Sequence, residues 1–480
     1  MKKLPLFIDE KSESRSDELP NLKRAYSSMI IKPFGFYPGQ LLKNLAIFTP
    51  STLELNALQL TDDSLAQFLD SNGQLDKLVM TDCYKPRFDN LSSLKSLKSL
   101  SIAECSWIIL KMFPMCNNIQ ELKINAPSKS MLDLENDGNY LTGLMAGQKE
   151  LETLIITTYF PLNENEVVDA KYNLKELSVR QDDKLKGIQP NINLHQILER
   201  HKGTLENLEI CVHVSNNFMA YIMKNLKIQR LFIISALVSK NLEIFEEMKP
   251  NFHLKKLIIG RTIQSAEPLQ VVLKSYPAIE SLIIKTWQPC VINEALTAIA
   301  SNLKSLTFLH IPSLTYNTPD APMPSLKAFN INRIDRMEHF LAFCSNIPSI
   351  EHLAIKQFNV GTLAIRHPTT NHAFENLPFI LTTFDIGHTE HIQIMTSKLS
   401  QLKHIKFGQA FELTSQILDV FSANCPKLRF IEMPNHFYEP KSNVTHGNIQ
   451  VVYFSLRTAS HVFKQEKTLW DKNEDGWLWV

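Results

Sequence analysis

Five histidines, His367, His372, His388, His391 and His404, fall within one stretch of the chain, and grouped imidazoles are common zinc ligands. Their spacing repeats no zinc signature, so no metal site is expected from them. The tail Asp471-Lys-Asn473-Glu-Asp475-Gly476 places oxygen ligands at alternating positions ahead of a glycine, as the first half of a calcium loop does. The bidentate glutamate that closes such a loop would fall beyond Val480, and a solvated turn is the better reading. None of the 14 glycines forms a phosphate-cradling GxGxxG or GxxxxGK[ST] motif, which removes the usual signals of nucleotide binding. The seven cysteines, Cys83, Cys105, Cys116, Cys211, Cys290, Cys344 and Cys425, are scattered and odd in number. They read as reduced thiols, and the expected setting is cytoplasmic or nuclear. No catalytic residue, cofactor or metal is therefore expected, and the chemistry to look for is that of a binding surface.

What would position such a surface is a recurring pattern. Between Leu55 and Met433 the chain spells apolar-x-x-apolar-x-apolar 16 times, starting at Leu55, Leu75, Leu97, Ile119, Leu151, Leu174, Leu205, Ile228, Leu254, Ile279, Leu303, Leu326, Ile350, Leu381, Leu402 and Leu428, 20 to 32 residues apart. The interval averages about 25 residues, the range of leucine-rich repeats. In Leu254-Lys-Lys-Leu257-Ile-Ile259 a short strand points Leu257 and Ile259 to one face and Lys256, Ile258 and Gly260 to the other. One such strand cannot bury its apolar side alone, so successive units must stack into a continuous core. The segments between strands carry helical spacing: Leu296, Ile299 and Ala300 in Asn293–Leu303, with similar runs at Phe218–Leu226, Leu242–Met248, Met337–Cys344 and Ile417–Ala423. Prolines at Pro277, Pro348 and Pro426 end several of these runs just before the next strand. The expected fold is an α/β leucine-rich repeat solenoid, a curved parallel sheet with helical returns on its convex side.

Four regions follow. Residues 1–18 hold a charged, serine-rich stretch with little to bury, and disorder is expected there. Residues 19–54 form an amino-terminal cap or a degenerate F-box-like segment, residues 55–455 the array of 16 or 17 units, and residues 456–480 a terminal cap or tail. Ile449-Gln-Val-Val452-Tyr-Phe454 is the candidate seventeenth strand.

Because every unit shares one period, outward residues can be mapped. The central outward positions include Gln59, Ile155, Glu209, Phe232, Ile258, Ile283, Thr307, Asn330 and Asp385. Phe232, Ile258 and Ile283 are consecutive large apolar side chains, with Ile234 beside them and Arg230, Lys256 and Lys285 at the edges. An apolar centre with a charged rim is the anatomy of a protein-binding patch. Strands covered on both faces by another segment would give the same apolar runs, and both readings stay open. A net charge of +1 supplies no basic field for nucleic acid, and no apolar run reaches the roughly 18 residues that span a bilayer.

The helical returns, the repeat lengths, and the cysteines of Leu75-Asp-Lys-Leu-Val-Met-Thr-Asp-Cys83 and Leu97-Lys-Ser-Leu-Ser-Ile-Ala-Glu-Cys105 resemble the repeats of F-box/LRR proteins, over about residues 52–455. That resemblance implies a substrate receptor of a cullin-RING ubiquitin ligase, with a Skp-type adaptor and a cullin as partners. Leu19-Pro20-Asn-Leu22 only partly follows the F-box opening, lacking its acidic residue. Lys23–Ile31 is read either as an F-box remnant or as a capping helix. The expected function is non-catalytic protein recognition by the concave face, with the ligase receptor as the alternative.

Overall fold

A computed structural model of the 480-residue chain describes residues 6–8, 28–31, 50–56, 69, 73–83, 94–105, 113, 116–125, 144–145, 147–157, 172–180, 194–211, 216–233, 249–260, 265–285, 288, 291–314, 322–334, 337–358, 386–407, 413–434 and 443–454. The chain divides into two units, Met1–Ser235 and Ala236–Val480.

The first unit is built on ten strands: β1 Leu6–Ile8, β2 Ser28–Ile31, β3 Thr52–Asn56, β4 Lys77–Thr81, β5 Ser99–Ala103, β6 Glu121–Asn125, β7 Thr153–Thr157, β8 Glu176–Arg180, β9 Asn207–Cys211 and β10 Arg230–Ile233. Each pairs in parallel with the next in chain order. Helices α1 Leu194–His201 and α2 Asn216–Asn225 are returns. In the second unit β11 Lys256–Ile259, β12 Ser281–Ile284, β13 Phe308–Leu314, β14 Ala328–Ile334, β15 His352–Phe358, β16 His404–Phe407 and β17 Phe430–Pro434 run in the same parallel sequence. The unit ends in β18 Val444–His446, antiparallel to β19 Ile449–Phe454, which pairs in parallel with β17. Its returns are α3 Ala266–Ser275, α4 Ile292–Asn302, α5 Met337–Cys344, α6 Ile386–Lys398 and α7 Ser415–Asn424.

The register shows why the pattern recurs. Leu53, Leu78, Leu100, Leu122, Leu154, Leu177, Leu208 and Leu231 are partners strand to strand, and all are buried. The same holds for Leu257, Leu282, Leu309, Phe329, Leu353, Ile405 and Ile431 in the second unit. These rows face the returns: the Phe329 ring on β14 packs against Phe343 of α5, with centroids 5.1 Å apart. Each unit also repeats one backbone joint. The carbonyl before one strand accepts from two consecutive N–H groups ahead of the next, as Ser51 does from Asp76 and Lys77, and Lys255 does from Glu280 and Ser281. Side chains close the helix ends: the Ser265 hydroxyl accepts from the Glu267 N–H, and that of Thr414 from Ile417. The α3 helix stops at Tyr276 as Pro277 requires. This stacking of strand-and-return units is the leucine-rich repeat solenoid fold.

Four details differ from the sequence reading. The unit expected to start at Leu55 has its strand earlier, with Leu53 and Leu55 inward and Glu54 outward, so Gln59 is not its central residue. The unit expected to start at Leu303 begins at Leu306, because Leu306-x-x-Leu309-x-Ile311 satisfies the same pattern three residues on. His310, not Thr307, is then the central outward residue. The run at Leu381 supplies no strand to the sheet between β15 and β16, which pair directly through His352 and His404. Finally, residues 6–8, within the stretch expected to be disordered, form β1 and pair with β2. The return at 242–248 and the tail from 455 lie outside the described residues. Ile449–Phe454 is a strand, as its pattern suggests.

Two polar devices hold the first unit. Gln148 is buried, its amide nitrogen donating to the carbonyls of Cys116 (2.5 Å) and Leu144 (2.8 Å), while its oxygen accepts from the Ile119 N–H at 3.0 Å. Cys83 and Cys105 occupy equivalent places after β4 and β5. Each follows a residue with positive φ, Asp82 or Glu104, which turns the chain so that the thiol points in. The Cys105 thiol donates to Ala103 O and Met80 O, that of Cys83 to Thr81 O and Leu55 O, and the Cys83 N–H donates to Cys105 Sγ at 3.3 Å. The cysteines that suggested a repeat subclass thus satisfy backbone groups where strands end.

Candidate functional site

Among the described residues, strand alternation turns one side of each sheet away from the return helices, and the residues there can be read in rows. In the first unit the outward positions of β3–β10 carry Glu54, Glu121, Glu176 and Glu209 against Lys77, Lys123, Arg180 and Arg230. The charges balance, and several are joined. Glu121 is held below the usual carboxylate range by bonds from Lys123, at 2.8 Å, and Ser99, which outweigh its burial. Glu209 accepts from Arg180 (2.6 Å), Ser178 (2.7 Å) and the Cys211 thiol (3.3 Å). A hub of this kind fixes the orientation of its carboxylate.

Phe232 lies next to that hub, in register with Glu209. It is half-buried, Arg230 is exposed, and Ile234 lies outside the described residues. The sequence reading did not single out Glu209, since a lone glutamate on a strand gives no sign of the neighbours that three other positions bring to it.

The second unit is arranged differently. Ile258 and Ile283 are register partners, as expected, with Lys256 beside Ser281 in the adjacent row. Ile258, Lys256 and Lys285 are half-buried, whereas Ile283 is only 2% exposed and lies beneath its neighbours. The row continues through His310, Asn330 and Ala354, with exposures of 2%, 3% and 3%. Burial, with the ammonium groups of Lys356 and Lys285 adding to it, pushes His310 down to about 4. Those two lysines, from β15 and from the end of β12, therefore act on the same central histidine.

Farther along, the Glu432 carboxylate on β17 lies 2.9 Å from His404 Nε2 and 3.1 Å from Lys406 Nζ, neighbours that hold its carboxyl down at about 2. The His404 ring meets His352 and Phe430 edge-on, at centroid separations of 6.2 and 6.1 Å. Burial and the neighbouring His404 hold His352 below its ordinary value. Phe430 is 46% exposed on this face.

Of the five grouped histidines, only His404 has a described side chain, and it serves this cluster. Among the described residues, no three His, Cys, Asp or Glu side chains are grouped to hold a metal, and no helix is long and apolar enough to cross a membrane.

No family model matches the chain, and no curated protein matches it. Among solved structures, the TLR13–ssRNA13 complex is similar at a TM-score of 0.41 and 15% identity, over 89% of this chain. This chain spans 56% of the length of that one. On the register of its own strands, the protein has the leucine-rich repeat fold.

Proposed function

We propose that the protein is a non-catalytic recognition scaffold that holds protein partners on the outward faces of its sheets, in a cytoplasmic or nuclear setting. The observation that carries this reading is the contrast between the two sides of each strand. The inward side is consumed by the repeat core, while the outward side presents half-buried Phe232 with Arg230 in the first unit and, in the second, half-buried Ile258 with Lys256 and Lys285. Large apolar groups ringed by charge are what partner surfaces anchor on, and Ile283 supports Ile258 from within its own row. The finer reading, a receptor subunit that joins a Skp-type adaptor and a cullin, draws on the cysteine-bearing repeats and on the residues 19–54 that precede the array.

The test is affinity purification of full-length protein from native cells, wild type against a Phe232→Ala, Ile258→Ser double variant. The variant is expected to melt within a few degrees of wild type and to lose its partners, since truncating an aromatic anchor costs about 2 kcal/mol or more of binding. A variant that retains every partner places recognition elsewhere. Recovery of adaptor and cullin with the wild type supports the ligase role, and their clean absence supports a plain scaffold.

A further inference from the structure

The second unit's sheet has an edge where each return hands over to its strand, and cations there outnumber the acids that could pair with them. Backbone bonds join Thr307, Lys327, Glu351, Lys403, Arg429 and Gln450 into one row, each N–H donating to the carbonyl of the residue before it in that order. Glu351 is the row's single acid. It accepts from Lys403 at 2.7 Å and lies 4.0 Å from Lys327, and these ammonium groups hold its carboxyl below the usual range. Arg429 donates only to carbonyls, Pro426 O at 3.2 Å and Leu428 O at 3.0 Å, while Lys427 donates to the side-chain oxygen of Gln401. Acids of the adjoining elements are engaged elsewhere, Asp419 of α7 with His446 and Glu432 of β17 with His404 and Lys406. Among the described residues, Lys327, Lys403, Lys427 and Arg429, all exposed, thus share one carboxylate on this edge, and neither Lys427 nor Arg429 has an acidic partner. The equivalent row of the first unit sets three acids, Asp76, Glu152 and Glu206, against Lys98 and Lys175, with Lys98 paired to Asp76 at 3.1 Å and Lys175 to Glu152 at 2.7 Å. A second observation lies one residue on. Phe430 follows Arg429 and is 46% exposed, with His404 and Gln450 as its register partners.

We infer that the strand-entry edge of β14–β17 docks an acidic protein segment, whose carboxylates meet Arg429, Lys427 and the Lys327–Lys403 pair while an apolar side chain rests on Phe430. The inference rests on the scaffold reading above and adds a second surface with a stated partner chemistry. Charge complementarity supports it, because a guanidinium without an acid of its own offers a planar fork that a carboxylate fits with two bonds. The exposed ring beside that fork favours a protein over a nucleic acid. Single strands are held by several stacking faces along a groove, whereas this edge presents one aromatic ring next to its cations. Three strand intervals of about 4.8 Å separate Lys327 from Arg429, about 14 Å in all, which about four extended residues cover.

The test uses the full-length chain and a fluorescein-labelled peptide of about six residues, glutamates around one phenylalanine, long enough for that span. Anisotropy is read at low and at physiological salt, with a lysine-for-glutamate version of the peptide and a short oligothymidylate as comparison probes. The glutamate peptide is expected to bind saturably and to weaken with salt. It should bind at least about tenfold more weakly to a Lys427→Glu, Arg429→Glu variant and, separately, to Phe430→Ala. A Lys149→Glu, Lys227→Glu variant, with the same change in net charge at exposed positions of the first unit, is expected to bind as wild type does. Melting curves establish that each variant is folded, and a Lys427→Gln, Arg429→Gln version replaces the charge reversal if that one is not. Absence of saturable binding, equal affinity in the two charge-reversed variants, undiminished affinity in Phe430→Ala, or tighter binding of either comparison probe overturns the inference. If the peptide fails while the Phe232→Ala, Ile258→Ser variant still loses its cellular partners, the scaffold reading stands and only this surface falls.

Discussion

His201 provides a sharp test of how the first unit's core is held. It ends α1 at 2% exposure, stacked on the buried Tyr172 ring at 5.3 Å. Its Nδ1 accepts the Leu174 N–H at 3.4 Å, so a neutral ring carries its proton on Nε2, which is buried without a partner, as is the Tyr172 hydroxyl. Burial, reinforced by Arg200, pushes the imidazole down from 6.5 to about 4. In the unfolded chain the ring takes a proton near 6.5, whereas in the folded chain it resists until about 4. Between those values the unfolded state binds more protons, and stability falls as the pH drops. The full shift corresponds to about 3 kcal/mol, of which about 2 kcal/mol is lost between pH 7.5 and 5. In the native protein, the carbon-bound ring protons of His201 should keep their neutral-form shifts by NMR down to pH 5. A His201→Gln variant keeps an acceptor for Leu174. Its urea-unfolding free energy should therefore fall by about 2 kcal/mol less than that of wild type between the two pH values. Native-state titration near 6.5, or an identical pH response in the variant, would refute the assignment of a buried neutral imidazole.

Two further expectations concern the joints of the same unit. Gln148→Ala leaves the Ile119 N–H and the carbonyls of Cys116 and Leu144 without their buried partner, and should cost about 1–3 kcal/mol or more in urea unfolding; an unchanged midpoint would show that the bridge contributes nothing. Removing residues 1–18 strips β1 from β2, whose Met29 and Ile31 are fully buried, and should lower the melting temperature. Melting that matches the full-length protein would mean that the pairing is dispensable.

The period of the apolar residues was sufficient to assign most of the parallel strands from β4 onward, their inward rows and the returns α2, α4, α5 and α7, because a short strand with one apolar side is stable only when identical neighbours continue its core. It also gave the correct two-faced alternation in β11, where Leu257 and Ile259 are buried and Lys256 and Ile258 are not. The pattern could not choose between Leu303 and Leu306, since both begin an acceptable run, and only pairing with Ser281 and Leu282 fixes the strand at Phe308. Nor could it reject Leu381, whose run has the right letters, although β15 and β16 pair without it. The same limit explains the missed side chains. Glu209 gathers Arg180, Ser178 and Cys211, and His310 lies near Lys285 and Lys356, through neighbours up to 46 positions away in sequence. Burial and charge at an outward position are properties of adjacent strands rather than of one strand. Sequence therefore determined the repeat and its two sides, while strand pairing decided which outward residues share a surface and what charge that surface carries.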